Sequence, residues 1–99
     1  MKIILTIQEF RKWRKKITGS IGFIPTMGAL HEGHLSLVEK SIETCQNTIV
    51  SIYLNPAQFS PGEDFDRYPK TVKTDLKKLS YYKVECVFLP NDSEMYPKE

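Results

Sequence analysis

Four short apolar runs alternate with three stretches of helical periodicity, and this alternation limits the fold more than any other feature of the chain. Lys2–Leu5, Ile21–Pro25, Thr48–Leu54 ("TIVSIYL") and Val84–Leu89 ("VECVFL") read as strands. Ile21–Pro25 reads as a strand buried on both faces. After the first strand, Thr6 with Glu9 three residues on matches a capping box. Phe10, Trp13 and Ile17 then follow at helical spacing, and Gly19 is a natural stop. His34–Gln46 reads as a helix with Leu35, Val38 and Ile42 on one face. Thr71–Ser80 reads as another, with Val72, Leu76 and Leu79 as its stripe. Alternating strands and helices of this kind belong to an α/β class with a parallel sheet flanked by helices. A chain of 99 residues holds one small domain.

The bulk properties exclude several classes. The chain is 40% hydrophobic and 26% charged, as soluble globular proteins are. It has no long apolar run, and its first residues lack the apolar core and cleavage site of a signal peptide. No membrane partner is expected, and the expected location is cytoplasmic. A net charge of +2 gives no case for nucleic acid. The run from Arg11 to Lys16 reads as the solvated face of a helix with Trp13 turned inward. Cys45 and Cys86 are two isolated cysteines, expected to be reduced and packed.

Ligands of parallel α/β sheets sit beyond the carboxyl ends of the strands. Two unusual loops fall there. One is Thr26–Gly33, inside "PTMGALHEGH" (residues 25–34); the other is Asn55–Gly62, with two prolines and a glycine. In the first loop Gly28 and Gly33 permit positive φ or close backbone approach. The helix beginning near His34 offers free N–H groups and the positive end of its dipole to an anion. His31 and His34, three apart, face one way if both lie in or just before the first turn. Two neutral imidazoles there can donate to phosphate oxygens as charge builds up. The Walker pattern does not fit, because its lysine and second glycine are missing. A zinc site of His31, His34 and a cysteine lacks a second thiol at ligand spacing, so no protein metal site is expected. A plain turn with histidine caps is the other reading these residues allow.

"PTMGALHEGH" resembles the signature of the pantoate–β-alanine ligase family, and His31-Glu32-Gly33-His34 resembles the HIGH-type tetrad of the nucleotidylyltransferases. "SIYLNPAQFSPGEDFDRYPKT" (residues 51–71) and "VFLPNDSEMYP" (residues 87–97) resemble later blocks of the same family, in the same order. The resemblance implies a Rossmann-like sheet, the N-terminal part of a HIGH-type nucleotidyltransferase fold. Residues 1–99 would form the N-terminal part of the nucleotide-binding domain, with the C-terminal domain outside the chain. It implies ATP-dependent condensation of pantoate with β-alanine through a pantoyl adenylate, in pantothenate and coenzyme A biosynthesis. Mg²⁺ would accompany the nucleotide. Met27, Gly28, Ala29, Leu30, His31, Glu32, Gly33 and His34 would line the ATP site, with His34 and His31 catalytic. Gln58, Asn55 and Thr26 would serve the substrates. A homodimer, or self-association through an uncovered sheet edge, is expected, and catalysis by these residues alone is not.

Overall fold

The computed structural model describes residues 1–53 and 68–90. Its strands are β1 (Lys2–Ile4), β2 (Ile21–Thr26), β3 (Asn47–Ile52) and β4 (Cys86–Phe88). Its helices are α1 (Ile7–Lys16), α2 (Glu32–Thr44) and α3 (Tyr68–Leu79). The strands form one sheet in the order β1-β4-β3-β2. All three pairings are parallel, with Ile4 opposite Phe88, Ser51 opposite Phe88 and Thr26 opposite Ile52. The expected Rossmann-like parallel sheet flanked by helices is the fold found.

Strand alternation sends successive side chains to opposite faces. On one face Ile24, Val50, Ile52 and Val87 pack with Val38 of α2 and Leu79 of α3. On the other, Ile4, Ile49, Cys86 and Phe88 pack with Ile7, Phe10 and Trp13 of α1. The Phe10 ring stacks on Phe88 at 4.7 Å between centroids. Arg11, Lys12, Arg14, Lys15 and Lys16 are exposed while Trp13 is half-buried, so the basic run is the outer face of α1. Both cysteines are free, and burial pushes the Cys86 thiol up to about 11, which keeps it inert.

Several expectations shift. β3 runs over Asn47–Ile52 rather than Thr48–Leu54, with Leu54 outside the described residues, and α2 ends at Thr44 rather than Gln46. Ile21–Pro25 is not buried on both faces: β2 is an edge strand, and Phe23, on the same face as Ile21 but not among the residues packed with α1, is 51% exposed. The second helix begins at Glu32 rather than His34, since Gly33 sits inside its first turn. The third begins at Tyr68 rather than Thr71. Pro69 falls in its first turn, where a missing N–H leaves no helical bond unmade. The last strand is Cys86–Phe88, shorter than Val84–Leu89, because only those residues pair with β1 and β3. For α1, Thr6 is the N-cap as expected, accepting the Glu9 N–H at 3.1 Å.

Candidate functional site

The loop between β2 and α2 leaves the carboxyl end of β2 beside that of β3. Its shape is set from within. The Thr26 hydroxyl donates to the Ser51 carbonyl at 3.0 Å and accepts the Gly28 N–H at 3.2 Å. Gly28 has φ 87° and Ala29 φ 50°; among the described residues Ala29 is the one non-glycine with positive φ. A side chain at Gly28 would be strained, and its Cβ would meet Asp75 Oδ2 at 3.3 Å. Leu30 is 2% exposed and anchors the loop in the core beside Val38 and Leu79.

Asp75 of α3 is a functional candidate that sequence reasoning missed. It is 1% exposed. Its two carboxylate oxygens accept the N–H groups of Ala29 at 2.9 Å and Leu30 at 2.8 Å. From the next turn of α3, Lys78 Nζ donates to the Leu30 carbonyl at 2.7 Å. In a sequence Asp75 is one acid in a lysine-rich amphipathic helix. The signal that could have found it is its position within the apolar stripe, one residue before Leu76.

The histidines end the loop. His31 is the N-cap of α2, and its Nδ1 accepts the Gly33 N–H at 3.0 Å. His34, at the third helical position, reaches back so that its Nδ1 accepts the His31 N–H at 3.2 Å. The pair is a capping box built from two imidazoles, whose ring centroids lie 4.1 Å apart. Gly33 is required by close approach: a Cβ there would sit 2.8 Å from His31 Cε1.

The hydrogen-bond pattern assigns the proton. An imidazole nitrogen that accepts an N–H carries no proton itself. Both rings are therefore neutral, with hydrogen on Nε2, while the box is formed. His34 is held below its ordinary 6.5 by burial and by the neighbouring His31, with Asp75 opposing. What the rings offer outward is a pair of neutral N–H donors. Glu32 is exposed in the first turn, where the helix dipole favours a carboxylate.

The structure thus gathers Thr26 at the end of β2, the loop residues Gly28, Ala29, Leu30 and His31, and Gly33 and His34 in the first turn of α2, with Met27 48% exposed. It alters one expectation: the Gly33 N–H is taken by His31 rather than free for an anion. Asn55 and Gln58 lie outside the described residues. Among the described residues no three His, Cys, Asp or Glu side chains are grouped to hold a metal ion. None of the helices there is long and apolar enough to cross a membrane. A cleft among Thr18, Cys45, Gln46, Thr48, Lys83 and Glu85 lies at the opposite, amino end of the strands. Its Glu85 carboxylate already accepts the Thr48 N–H at 2.6 Å, which makes the cleft a structural junction.

A family model described as pantoate-beta-alanine ligase matches residues 2–99. Pantothenate synthetase of Neisseria meningitidis serogroup A is 52% identical over 97 residues, covering 98% of this chain and 34% of that protein. Pantothenate synthetase of Helicobacter pylori (strain P12) is 48% identical over 99 residues, covering 100% of this chain and 36% of that protein. Among solved structures, the pantoate-beta-alanine ligase of Francisella tularensis, complexed with beta-gamma ATP and beta-alanine, superposes with a TM-score of 0.88. That match has 38% identity and covers 99% of this chain and 38% of that one. Pantothenate synthetase of Thermus thermophilus gives a TM-score of 0.82 at 39% identity, covering 99% of this chain and 35% of that one. The chain spans about a third of the length of these curated relatives. With a family model matching residues 2–99 and relatives about 50% identical over nearly all of it, this chain belongs to the pantoate–β-alanine ligase family.

Proposed function

We propose that this chain is the N-terminal, nucleotide-binding part of an ATP-dependent ligase that joins pantoate to β-alanine. The observation that carries the reading is the histidine capping box, which leaves two neutral Nε2–H donors at the amino end of α2. In the proposed reaction the pantoate carboxylate attacks the α-phosphorus of ATP and pyrophosphate leaves. The β-alanine amine then attacks the pantoyl carbonyl and AMP leaves, forming the amide of pantothenate.

The chemistry of the first step suits this loop. Negative charge grows on the phosphate oxygens as pyrophosphate departs, and fixed N–H donors with the helix dipole stabilise it without reorganising. Neutral donors suit this role, because with Nδ1 held as an acceptor each ring keeps one orientation and one tautomer. His34 is assigned to stabilise the developing charge, with His31 beside it. Met27, Gly28, Ala29, Glu32 and Gly33 form the nucleotide wall, and Leu30 anchors it. Thr26 holds the loop against β3. Gln58 is assigned to pantoate and the β-alanine position, since its amide both donates and accepts, with Asn55 orienting that loop. Mg²⁺ enters with the triphosphate as part of the substrate. The rest of the acceleration comes from aligning carboxylate and phosphorus. The assembly proposed is a homodimer in the cytoplasm, and the open edge of β2 is a place where this chain alone would self-associate.

Titration of the chain with Mg-ATP and then pantoate, followed by backbone amide NMR, tests the reading. Saturable shifts at Gly28, Gly33 and His34 on ATP, and at Gln58 on pantoate, are expected. Equal responses to ATP and CTP, with none to pantoate, would point to another nucleotidylyltransferase chemistry instead.

A further inference from the structure

Glycine-bearing loops at helix N-termini ordinarily hold phosphate through backbone N–H groups. This loop has the shape for it. Positive φ at Gly28 and Ala29 turns the successive N–H groups of Ala29 and Leu30 to one side. Yet that concavity is filled. The buried Asp75 carboxylate takes both groups, at 2.9 and 2.8 Å. Gly28, His31 and Gly33 also give their N–H groups to side chains, those of Thr26, His34 and His31.

We infer that Asp75 is a positioning residue: it is the resident anion of this loop, and it hands phosphate contact from the backbone to the histidine side chains. The inference rests on the proposed nucleotide reading of the loop. The geometry supports it in two ways. Asp75 and Lys78, from adjacent turns of α3, fix Ala29 N, Leu30 N and the Leu30 carbonyl, the groups immediately before the N-cap. The His31 backbone therefore has one place to be, and both imidazoles inherit their orientation from it. The carboxylate also offsets the strain of positive φ at Ala29, which no glycine relieves. A phosphate cannot take these two amides without displacing a buried carboxylate from them.

The test uses the 99-residue chain and the isosteric Asp75→Asn substitution, which turns one acceptor into a donor. Four readouts apply: amide hydrogen exchange at Ala29 and Leu30, imidazole ¹⁵N shifts of His31 and His34, Mg-ATP affinity, and exchange at Val50 and Val87 as the control for the sheet. The expected result is exchange at Ala29 or Leu30 faster by at least about tenfold with the sheet unchanged. The imidazoles should shift from the Nε2–H form to mixed tautomers, and Mg-ATP affinity should fall by about tenfold or more. A folded variant with unchanged imidazole shifts and unchanged affinity would overturn the inference. If the substitution unfolds the sheet, scalar coupling across the hydrogen bonds from the Ala29 and Leu30 nitrogens to the Asp75 carboxyl carbon in the unmodified chain decides. Its presence supports the inference and its absence overturns it. An unmodified chain that ignores Mg-ATP would remove the nucleotide reading. The exchange and imidazole signatures would still decide whether Asp75 positions the histidines.

Discussion

The amino ends of α1 and α2 meet the same requirement with different residues. Both must satisfy N–H groups that have no helical acceptor. At α1 the exposed Thr6 hydroxyl accepts from Glu9 N–H at 3.1 Å, the bond of an ordinary threonine cap. At α2 the same need is met by two histidines and a glycine that lets one ring lie over it, and the loop before the cap adds two residues of positive φ held by a buried carboxylate from another helix. Histidine is not among the favoured N-caps, and a serine or asparagine would do the capping alone. The excess at α2 is therefore a measure of what the end is for. Stability explains Thr6. On the proposed nucleotide reading His31 and His34 do more than cap, because their Nε2–H groups would meet an anion.

Substitutions at the two ends should separate these roles. The largest effect is expected from Gly28→Ala, which places a side chain at φ 87° with its Cβ 3.3 Å from Asp75 Oδ2. We expect a loss of about 2 kcal/mol in urea denaturation from the backbone strain, together with weaker Mg-ATP binding. Thr6→Ala should cost about 1 kcal/mol, the usual worth of an N-cap, and leave Mg-ATP binding unchanged. A change in nucleotide affinity there would erase the contrast between the two ends.

Acidification should act on α2 alone, and more weakly. Because His34 is held below 6.5 in the folded chain, the unfolded chain binds more protons in that range. The stability contributed by neutral His34 is complete above about 6.5 and declines as the pH falls from there toward the lowered folded value. A proton on Nδ1 also breaks the bond to His31 N–H. We expect the His31 amide shift to move through this range while the Glu9 amide, at the α1 cap, stays still. Parallel movement of the two would contradict the assignment.

Much of the sheet was legible because its strands obey local rules. Thr48–Leu54 is mostly apolar and β-branched, and the central strand found there is Asn47–Ile52; Thr6 is an ordinary cap before an amphipathic run. Elsewhere tertiary context overrides the local signal. Gly33 looks like a break ahead of the helix, but it sits within the first turn, because histidine at the cap needs room above it. Phe23 looks like core, but its strand is at the edge of the sheet. The histidine pair is visible from spacing, whereas the tautomer is not, since it depends on which backbone groups the rings reach. Asp75 stands out only as an acid within an apolar stripe, and its role is not legible because its partners lie 46 and 45 residues away in the chain.

The most direct test is His31→Asn, with stability and Mg-ATP affinity measured on the same sample. Asparagine caps a helix at least as well as histidine but has no imidazole Nε2–H to give. We predict stability within about 0.5 kcal/mol of the unmodified chain and an affinity lower by about tenfold or more. An unchanged affinity would mean that His31 serves only as a cap, and that the two helix ends differ in composition but not in purpose.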